Sequence, residues 1–218
     1  VIKCEDDYSV EKPRGKQRWK DDNFGCWYVD TTGIYKSVWL EKVNHRRVND
    51  VKITPLLSEE KVILEYATLN ADGLSIESIV TFDDSVVGST LVEVLDGKCK
   101  CEISLAEKVM LWDIENPNLY DLHIKLVDNG VVVDSVLSYF GLREVKASNG
   151  KIYLNGKELY QKLVLDQGYF LESHLSAPSN QALYEDITKM IELGFNGCRK
   201  HQKIEDERFI YYADVLGY

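Results

Sequence analysis

The sequence predicts a mainly β fold, in which a β-sandwich precedes two strand-helix units, and three observations support this. Apolar and polar residues alternate with a period of two between residues 48 and 142, as in half-buried strands. Turn signals interrupt this alternation about every 8 to 12 residues. After Ser179 the apolar residues recur at helical spacing instead. The chain of 218 residues therefore joins two fold classes.

Residues 44–143 form the predicted sandwich. Leu64 and Tyr66 are typical of its alternating apolar positions, and an Asp-Asn-Gly turn at 128–130 joins its last two strands. About seven short strands separated by such turns are the pattern of an immunoglobulin-like sandwich. The Cys…Trp…Cys core of antibody domains is absent from the sequence, so we expect an immunoglobulin-like domain that is not of the antibody type.

Residues 139–160 lead from the sandwich into the strand-helix units. Asn-Gly pairs at 149–150 and 155–156 flank the apolar-alternating segment Lys-Ile-Tyr-Leu. Asparagine and glycine both tolerate positive φ, and such a pair between β-like segments is the strongest short signal for a hairpin. We therefore predict two tight hairpin turns here.

Two strand-helix units follow. The sequence predicts a strand over 160–165, a helix capped by Ser179 or Asn180 that runs to Gly194, a strand over 195–199 and a helix over 206–216. The first helix carries one apolar stripe, made by Leu183, Ile187, Met190 and Ile191. The acidic run at 205–207 is interpreted as capping of the second helix. This order of elements implies parallel strands with right-handed crossovers.

Residues 1–43 begin with a strand-like Val-Ile-Lys-Cys and continue in a polar loop. Four aromatic residues lie in that loop, namely Trp19, Phe24, Trp27 and Tyr28. Clustered aromatics suit carbohydrate binding, because sugar rings stack on aromatic faces, but packing against a neighbouring domain is an equally good interpretation. Ile34, Val38 and Leu40 then predict a strand after a Thr-Thr-Gly turn.

Composition excludes several classes of protein. A net charge of −10 argues against binding to nucleic acid, whose phosphates need cations. No apolar run approaches the length of about 20 residues that spans a bilayer, and no signal peptide is visible at the start. Five scattered cysteines suggest reduced thiols and a cytoplasmic location. Cys99 and Cys101 share one strand face, but too few further ligands accompany them for zinc, so we predict no metal and no cofactor.

Several segments resemble the glycoside hydrolase family 2 enzymes, which include β-galactosidases, β-glucuronidases and β-mannosidases. They are TTGIYKSVWLE, LWDIENPNLY, YFGLRE with the following GKIYLNGK, and GFNGCRKH. The resemblance implies that residues 1–43 are the tail of a jelly-roll sugar-binding domain. Residues 44–143 would then be the complete sandwich, and residues 144–218 the first two βα units of a TIM barrel. In the LWDIENPNLY segment, Trp112 and Tyr120 are interpreted as structural.

The resemblance also implies roles for residues at the C-terminal ends of the two predicted barrel strands, where barrel enzymes place their chemistry. Arg199 matches the arginine of the family's G-F-N-x-x-R signature, which lies on the active-site floor; an ordinary ion pair is the alternative. His201 stands one position before the family's substrate-binding histidine. Asp166 and Gln167 follow the first strand in an LDQGY sequence that only one branch of the family uses.

The N-terminal segment carries two further candidates for sugar binding. Many members of the family place a substrate-touching aspartate six residues before the glycine of T-G-I, and this sequence has Trp27 there. The polar contact is therefore absent or comes from another group, for which Asp30 is the candidate.

Retaining glycoside hydrolysis needs two carboxylates about 5 Å apart, and the family carries them on the fourth and seventh barrel strands. The resemblance thus implies that the chain is an internal fragment of a hydrolase that cleaves terminal β-linked sugars, with β-galactosides as the first candidate substrates. The fragment alone would be inactive. Its partner would be a carbohydrate, and unpaired barrel strands predict a homo-oligomer. The alternatives are a non-catalytic carbohydrate-binding or adhesion module and a degenerate family member that acts as a spacer.

Overall fold

The computed structural model describes residues 1–105 and 109–218, and the chain divides into two compact units. One unit consists of Glu41–Tyr160, and the other combines Val1–Leu40 with Gln161–Leu216. Strands hold 43% of the residues and helices 12%, so the predicted mainly β fold is confirmed. The three-domain division proposed from the sequence stays a prediction. No helix in the described ranges is long and apolar enough to cross a membrane.

Seven antiparallel strands form two sheets in the first unit. They are β1 (Arg47–Leu56), β2 (Lys61–Leu69), β3 (Ser75–Phe82), β4 (Ser85–Glu93), β5 (Lys98–Ser104), β6 (Tyr120–Asp128) and β7 (Val131–Phe140). One sheet has the order β1-β2-β5 and the other the order β4-β3-β6-β7. Because β4 pairs with β3 and not with β5, the sheets hold three and four strands, the reverse of a constant-type immunoglobulin domain.

The core of this unit lies between the two sheets. On β2 every second residue is buried, which is the alternation that the sequence predicted. Those side chains join one apolar cluster with residues of β3 and β6, among them Ile76, Leu122 and Ile124. The hydroxyl groups of Tyr66 and Ser78 lie inside this core, 2.7 Å apart, so each satisfies the other in the absence of water.

Three short strands complete the first unit: β8 (Val145–Ser148), β9 (Lys151–Leu154) and β10 (Lys157–Leu159). They form an antiparallel meander in the order β10-β9-β8. Both Asn-Gly pairs lie in its turns with positive φ, +50° and +73° at 149–150 and +51° and +76° at 155–156. Two successive residues with positive φ make the type I′ turn that favours hairpins, so both predicted turns are confirmed.

The second unit contains β11 (Leu163–Asp166), α1 (Asn180–Glu192), β12 (Gly197–Lys200) and α2 (Glu207–Leu216). The two strands are parallel, as predicted. Ser179 caps α1, since its hydroxyl oxygen accepts a hydrogen bond of 3.0 Å from the Ala182 N–H. The apolar stripe of α1 is narrower than predicted, because Ile191 is 36% exposed. At 3.6 residues per turn Ile191 lies about 80° around the helix from Leu183.

The strands predicted in the N-terminal segment are wrong. Among the described residues before β1 there are only isolated bridges, such as that between Gln17 and Tyr28. Val38 and Leu40 are exposed and belong to no strand. A strand needs a neighbour to accept and donate its backbone hydrogen bonds, and no neighbouring strand runs beside either segment in the described residues.

Candidate functional site

A cleft of about 680 Å³ lies within the second unit. Residues 13–17 and 31–35 of the N-terminal segment line one part of it, and the loops that follow β11 and β12 line another. Tyr169 comes from the first loop, and His201 comes from the second. Parallel strands present their C-terminal ends at one edge, and this is the edge where barrel enzymes carry their active sites.

Hydrogen bonds attach the N-terminal segment to these loops. The Tyr35 hydroxyl donates to the Ile204 carbonyl at 2.8 Å, and the Ser176 hydroxyl donates to the Tyr35 carbonyl at 2.8 Å. The Arg208 guanidinium donates to the Ser37 hydroxyl at 2.7 Å. The walls of the cleft are therefore tied together although the N-terminal segment contains no strand.

Four charged side chains form a buried network at the C-terminal ends of β11 and β12. The Lys200 ammonium lies 2.5 Å from an oxygen of Asp166 and 2.7 Å from Oε2 of Glu205. Lys203 lies 3.0 Å from Oε1 of Glu205 and donates to the Gly168 carbonyl at 2.6 Å. The side chains of Glu205 and Lys203 are each only 3% exposed. Two cations thus meet two anions, which is the arrangement that buried charges require.

This network joins the two loops around Gly168. Its φ is +64°, and a Cβ at this position would lie 2.5 Å from Oε2 of Glu205 and 2.7 Å from Nζ of Lys203. Only glycine combines that backbone conformation with such a close approach of charged groups. The His201 N–H also donates to the Asp166 carbonyl at 2.8 Å, so the second loop starts in register with the first.

Burial and pairing act in opposite directions on the ionisation of the network. Burial by itself raises the pKa of Glu205, but hydrogen bonds from Lys200 and from the Asp206 N–H outweigh it, and the pKa is lowered. Burial lowers the pKa of Lys203, and the attraction of Glu205 offsets only part of this. Burial would also lower the pKa of Lys200, yet its hydrogen bonds to Asp166 and Glu205 raise it. Glu205 is therefore the anion around which both lysines are arranged.

The capping role predicted for the whole acidic run at 205–207 is wrong for Glu205. Asp206 caps α2, because its Oδ1 accepts a hydrogen bond of 3.0 Å from the Arg208 N–H, and Glu207 lies in the first helical turn. Glu205 instead pairs with Lys200 and Lys203, and neither lysine was among the site residues predicted from the sequence. Two lysines and a glutamate within six residues of a strand end were the available signal, since charged groups at that edge of a barrel converge.

Arg199 is exposed on β12. Its neighbour Cys198 packs against the apolar cluster of α1 and α2, and the Lys200 ammonium lies 3.9 Å from the centre of the Phe209 ring. Side chains alternate along a strand, so Arg199 points to the opposite face, which it shares with the 54% exposed Leu165. That is the face that would line a barrel interior, and the proposed role of Arg199 stays a prediction.

The remaining sites predicted from the loops have distinct surroundings. His201 lines the cleft, whereas the Asp166 carboxylate forms an ion pair with Lys200. The side-chain oxygen of Gln167 is buried and has no hydrogen-bond partner among the described residues. A buried acceptor without a donor costs stability, and Gln167 does not border the cleft.

Trp27 and Asp30 border two different hollows. Trp27 belongs to an aromatic cluster with Trp19 and borders a second hollow. Asp30 forms an ion pair of 2.8 Å with Arg18, whose hydrogen bond lowers the pKa of the carboxyl group. Asp30 borders a small hollow with Tyr8 and does not border the main cleft. Of the six predicted site residues, the cleft itself thus includes only His201.

No group of three or more histidine, cysteine or acidic side chains in the described ranges could hold a metal ion. Cys99 and Cys101 both lie on β5 against the sandwich core. Burial raises the pKa of the Cys99 thiol to about 11. These thiols are therefore protonated packing groups at neutral pH.

Comparison with known proteins gives related sequences for most of the chain. Residues 46–143 match the family Glycosyl hydrolases family 2. A provisionally named β-glucuronidase from Formosa agariphila is 30% identical over 196 residues, which cover 85% of this chain and 23% of that protein. A β-galactosidase from Lactococcus lactis is 28% identical over 194 residues, which cover 85% of this chain and 18% of that protein. The chain thus spans about a fifth of the length of these relatives.

Solved structures share the fold. A β-glucuronidase from Ruminococcus gnavus superposes with a TM-score of 0.73 at 20% identity, over 86% of this chain and 31% of that one. A glycosyl hydrolase family 2 member from Bacteroides cellulosilyticus superposes with a TM-score of 0.72 at 22% identity, over 91% of this chain and 27% of that one. At such low identity these likenesses establish the fold alone.

Proposed function

We propose, from the premise that residues 46–143 belong to glycosyl hydrolases family 2, that this chain is part of a retaining glycoside hydrolase acting on terminal β-linked sugars. The observation that carries this proposal is the cleft at the C-terminal ends of the two parallel strands. The N-terminal segment closes it, as a sugar-binding domain beside a catalytic barrel would. Its volume of about 680 Å³ lies in the range of small-molecule sites, roughly 300–1,000 Å³.

The polar lining of the cleft supports a carbohydrate ligand. Gln17, Tyr35 and His201 all border it and carry groups that can donate or accept hydrogen bonds. A β-galactoside presents several hydroxyl groups, which suit neutral donors and acceptors. Lys3 and Lys16 also border the cleft and suit the carboxylate of a β-glucuronide. Tyr169 adds an aromatic ring, which packs against Tyr28 with the ring centres 5.0 Å apart and the ring planes at 46°.

Binding and hydrolysis are separate parts of the proposal. Retention requires two carboxylates about 5 Å apart, one of them free to attack the sugar. The two carboxylates of the buried network, Asp166 and Glu205, are both paired with Lys200 and hold the loops in place. We therefore expect these 218 residues to bind sugar without hydrolysing it, with the reacting carboxylates supplied by other strands of the barrel.

β-Galactosides are the first candidate substrates and β-glucuronides the second, since relatives carry both names. A non-catalytic carbohydrate-binding module is the alternative from another class, and the full pairing of Asp166 and Glu205 favours it. Hydrolysis by the longer gene product that contains this chain distinguishes the two.

The experiment combines a binding and an activity measurement. Calorimetric titration of the chain with methyl β-D-galactopyranoside and methyl β-D-glucuronide should show weak binding, and His201→Ala should weaken it. His123→Ala, on the outer face of β6, is the matched control and should leave it unchanged. The longer gene product should release 4-nitrophenol from the corresponding nitrophenyl glycoside with retention at the anomeric carbon. Binding without any release would favour the module, and absence of both would refute the proposal.

A further inference from the structure

We infer that a second sugar-binding subsite lies beside the main cleft, built on Trp19 and Trp27, and that it receives a neighbouring sugar unit of an oligosaccharide. This inference rests on the proposed carbohydrate function and goes beyond it, because it assigns the length of the ligand. The subsite is a hollow of about 460 Å³ bordered by both tryptophans, by Lys12 and by Val10.

The hollow adjoins the main cleft. Pro13, Arg14, Gly15 and Gln202 border both, so the two spaces share a wall. A ligand that extends from His201 in the main cleft past this wall meets the tryptophans. A chain of linked sugars is a ligand whose successive rings need adjacent spaces of this kind.

The aromatic rings are held in fixed orientations. The ring centres of Trp19 and Trp27 lie 4.6 Å apart with their planes at 67°, and Phe24 meets Trp19 nearly edge-on at 5.0 Å. Backbone hydrogen bonds close the loop beneath them, with the Trp27 N–H donating to the Phe24 carbonyl at 3.0 Å and the Arg18 N–H donating to the Tyr28 carbonyl at 2.8 Å. A preorganised wall loses little conformational entropy on binding.

The wall of the hollow is aromatic and its rim is polar. The apolar ring surfaces are partly exposed, and the Lys12 ammonium and the Gln202 amide lie at the same hollow. The Arg14 guanidinium is anchored at 3.1 Å to the Arg18 carbonyl and at 3.2 Å to the Ser9 carbonyl, so it forms part of the structure of the wall. A sugar ring matches this combination, since it has C–H surfaces on its faces and hydroxyl groups around its edge.

A purely apolar ligand fits less well, because it would bury the Gln202 amide and offer it no hydrogen-bond partner. The Lys16 ammonium lies 4.9 Å from the centre of the Trp27 ring and makes one side of that ring electropositive. Lys16 borders the main cleft, where the hydroxyl oxygens of a sugar can accept its hydrogen bonds and a hydrocarbon cannot. The chemical class that the hollow selects is therefore a neutral or acidic sugar unit.

The test compares a one-unit with a three-unit probe. Methyl β-D-galactopyranoside and β-1,4-galactotriose are titrated calorimetrically into the chain. The trisaccharide should bind on the order of tenfold more tightly, as one aromatic contact contributes roughly that factor. Trp19→Ala should remove this gain and leave the affinity for the monosaccharide unchanged. Trp39→Ala is the matched control, since Trp39 is 63% exposed and borders neither space.

Trp19→Phe keeps the inference falsifiable where the alanine variant loses its local structure. It retains a flat ring, so it should keep most of the gain from the trisaccharide, and equal loss in both variants overturns the subsite. Equal affinity of the unchanged chain for both probes also overturns the subsite but leaves the proposed function standing. Binding of neither probe overturns both, so the two failures are distinguishable.

Discussion

The two units of the molecule are stabilised in different ways. The sandwich buries a large cluster of apolar side chains from both of its sheets, and its ion pairs, such as that of Lys52 with Glu65, lie on exposed surface. The second unit has only Leu183, Ile187 and Phe209 as buried apolar centres. The second unit also buries charged groups, because the Glu205 carboxylate lies between two lysines at the C-terminal ends of the strands.

The sandwich is stabilised as a scaffold, whereas the second unit is stabilised around the candidate site. Apolar burial is non-directional, and it gives the sandwich a stability that tolerates changes on its surface. A buried ion network is directional and adds little net stability, because desolvation cancels much of the attraction between the charges. It does hold loops in one geometry, and in this chain the loops it holds are those that border the proposed carbohydrate cleft.

Glu205→Gln should affect only the second unit. It leaves the two ammonium groups with one carboxylate less between them, and breaking a buried pair in this way costs about 3–5 kcal/mol. Limited proteolysis followed by mass spectrometry should show new cleavage between residues 161 and 216 and an intact sandwich. Glu172→Gln, at an exposed position of the same unit, should leave the pattern unchanged. Cleavage at equal rates in both variants would show that the network does not stabilise this unit.

Ile124→Ala should affect only the sandwich. Ile124 is 0% exposed in the core, and such a truncation costs about 2–5 kcal/mol through lost burial and the cavity that remains. Leu137→Ala, in the neighbouring strand but 71% exposed, should change the free energy of unfolding by less than about 0.5 kcal/mol. Urea denaturation followed by circular dichroism measures both. Similar losses in the two variants would contradict the assignment of the core.

Arg199→Ala should affect activity and not stability. The side chain is exposed on the strand face that we propose lines a barrel, where a fixed cation would lower the pKa of a reacting carboxyl group. In the longer hydrolase that we propose, kcat should fall by about 10², the scale of one lost preorganised electrostatic contact. Arg199→Lys should not restore it, since lysine lacks the planar guanidinium. Arg47→Ala, in β1, is the control, and normal turnover in Arg199→Ala would remove the residue from the site.

Acid should weaken the second unit before the sandwich. The pKa of Glu205 is lowered in the folded chain, so its contribution to stability is present above the ordinary value of 4.5 and is lost as the pH falls below it. Burial raises the pKa of Asp186, which works in the opposite direction and makes the loss smaller. Hydrogen exchange of the two units between pH 6 and about 3 measures this, and Glu205→Gln should reduce the pH dependence. Asp206, whose pKa the hydrogen bond from Arg208 lowers to about 2, should keep its own contribution. Unfolding of both units at one pH would contradict it.

The smallest effect concerns the cap of α1. Ser179→Ala removes the acceptor of the Ala182 N–H and should lower the stability of the second unit by about 1 kcal/mol. Ser179→Asp keeps an acceptor beside the helix N-terminus and should match the unchanged chain. Thermal unfolding of the three proteins gives the comparison. An alanine variant as stable as the aspartate variant would show that the cap contributes nothing.

Local signals in the sequence were sufficient for much of the fold. The alternation of β2, the two Asn-Gly turns and the Ser179 cap each depend on residues close together in the chain, so their patterns predict them correctly. The aromatic loop was also visible, although the sequence left open whether its rings bind sugar or pack against a neighbour. The predicted strand at 34–40 failed for the opposite reason, since alternation alone does not provide a partner strand.

The mainly β class, the seven strands of the sandwich and the order strand-helix-strand-helix follow from patterns in the sequence. The three-dimensional structure alone shows that β3 pairs with β6 and that β2 pairs with β5, because these partners lie far apart in the chain and the alternation of side chains does not specify a partner strand. It also decided that Glu205 is a buried ion-pair partner and not a cap. That role depends on Asp166, Lys200 and Lys203, which come together at the C-terminal ends of two parallel strands. Periodic patterns in the sequence do not show which distant residues come together.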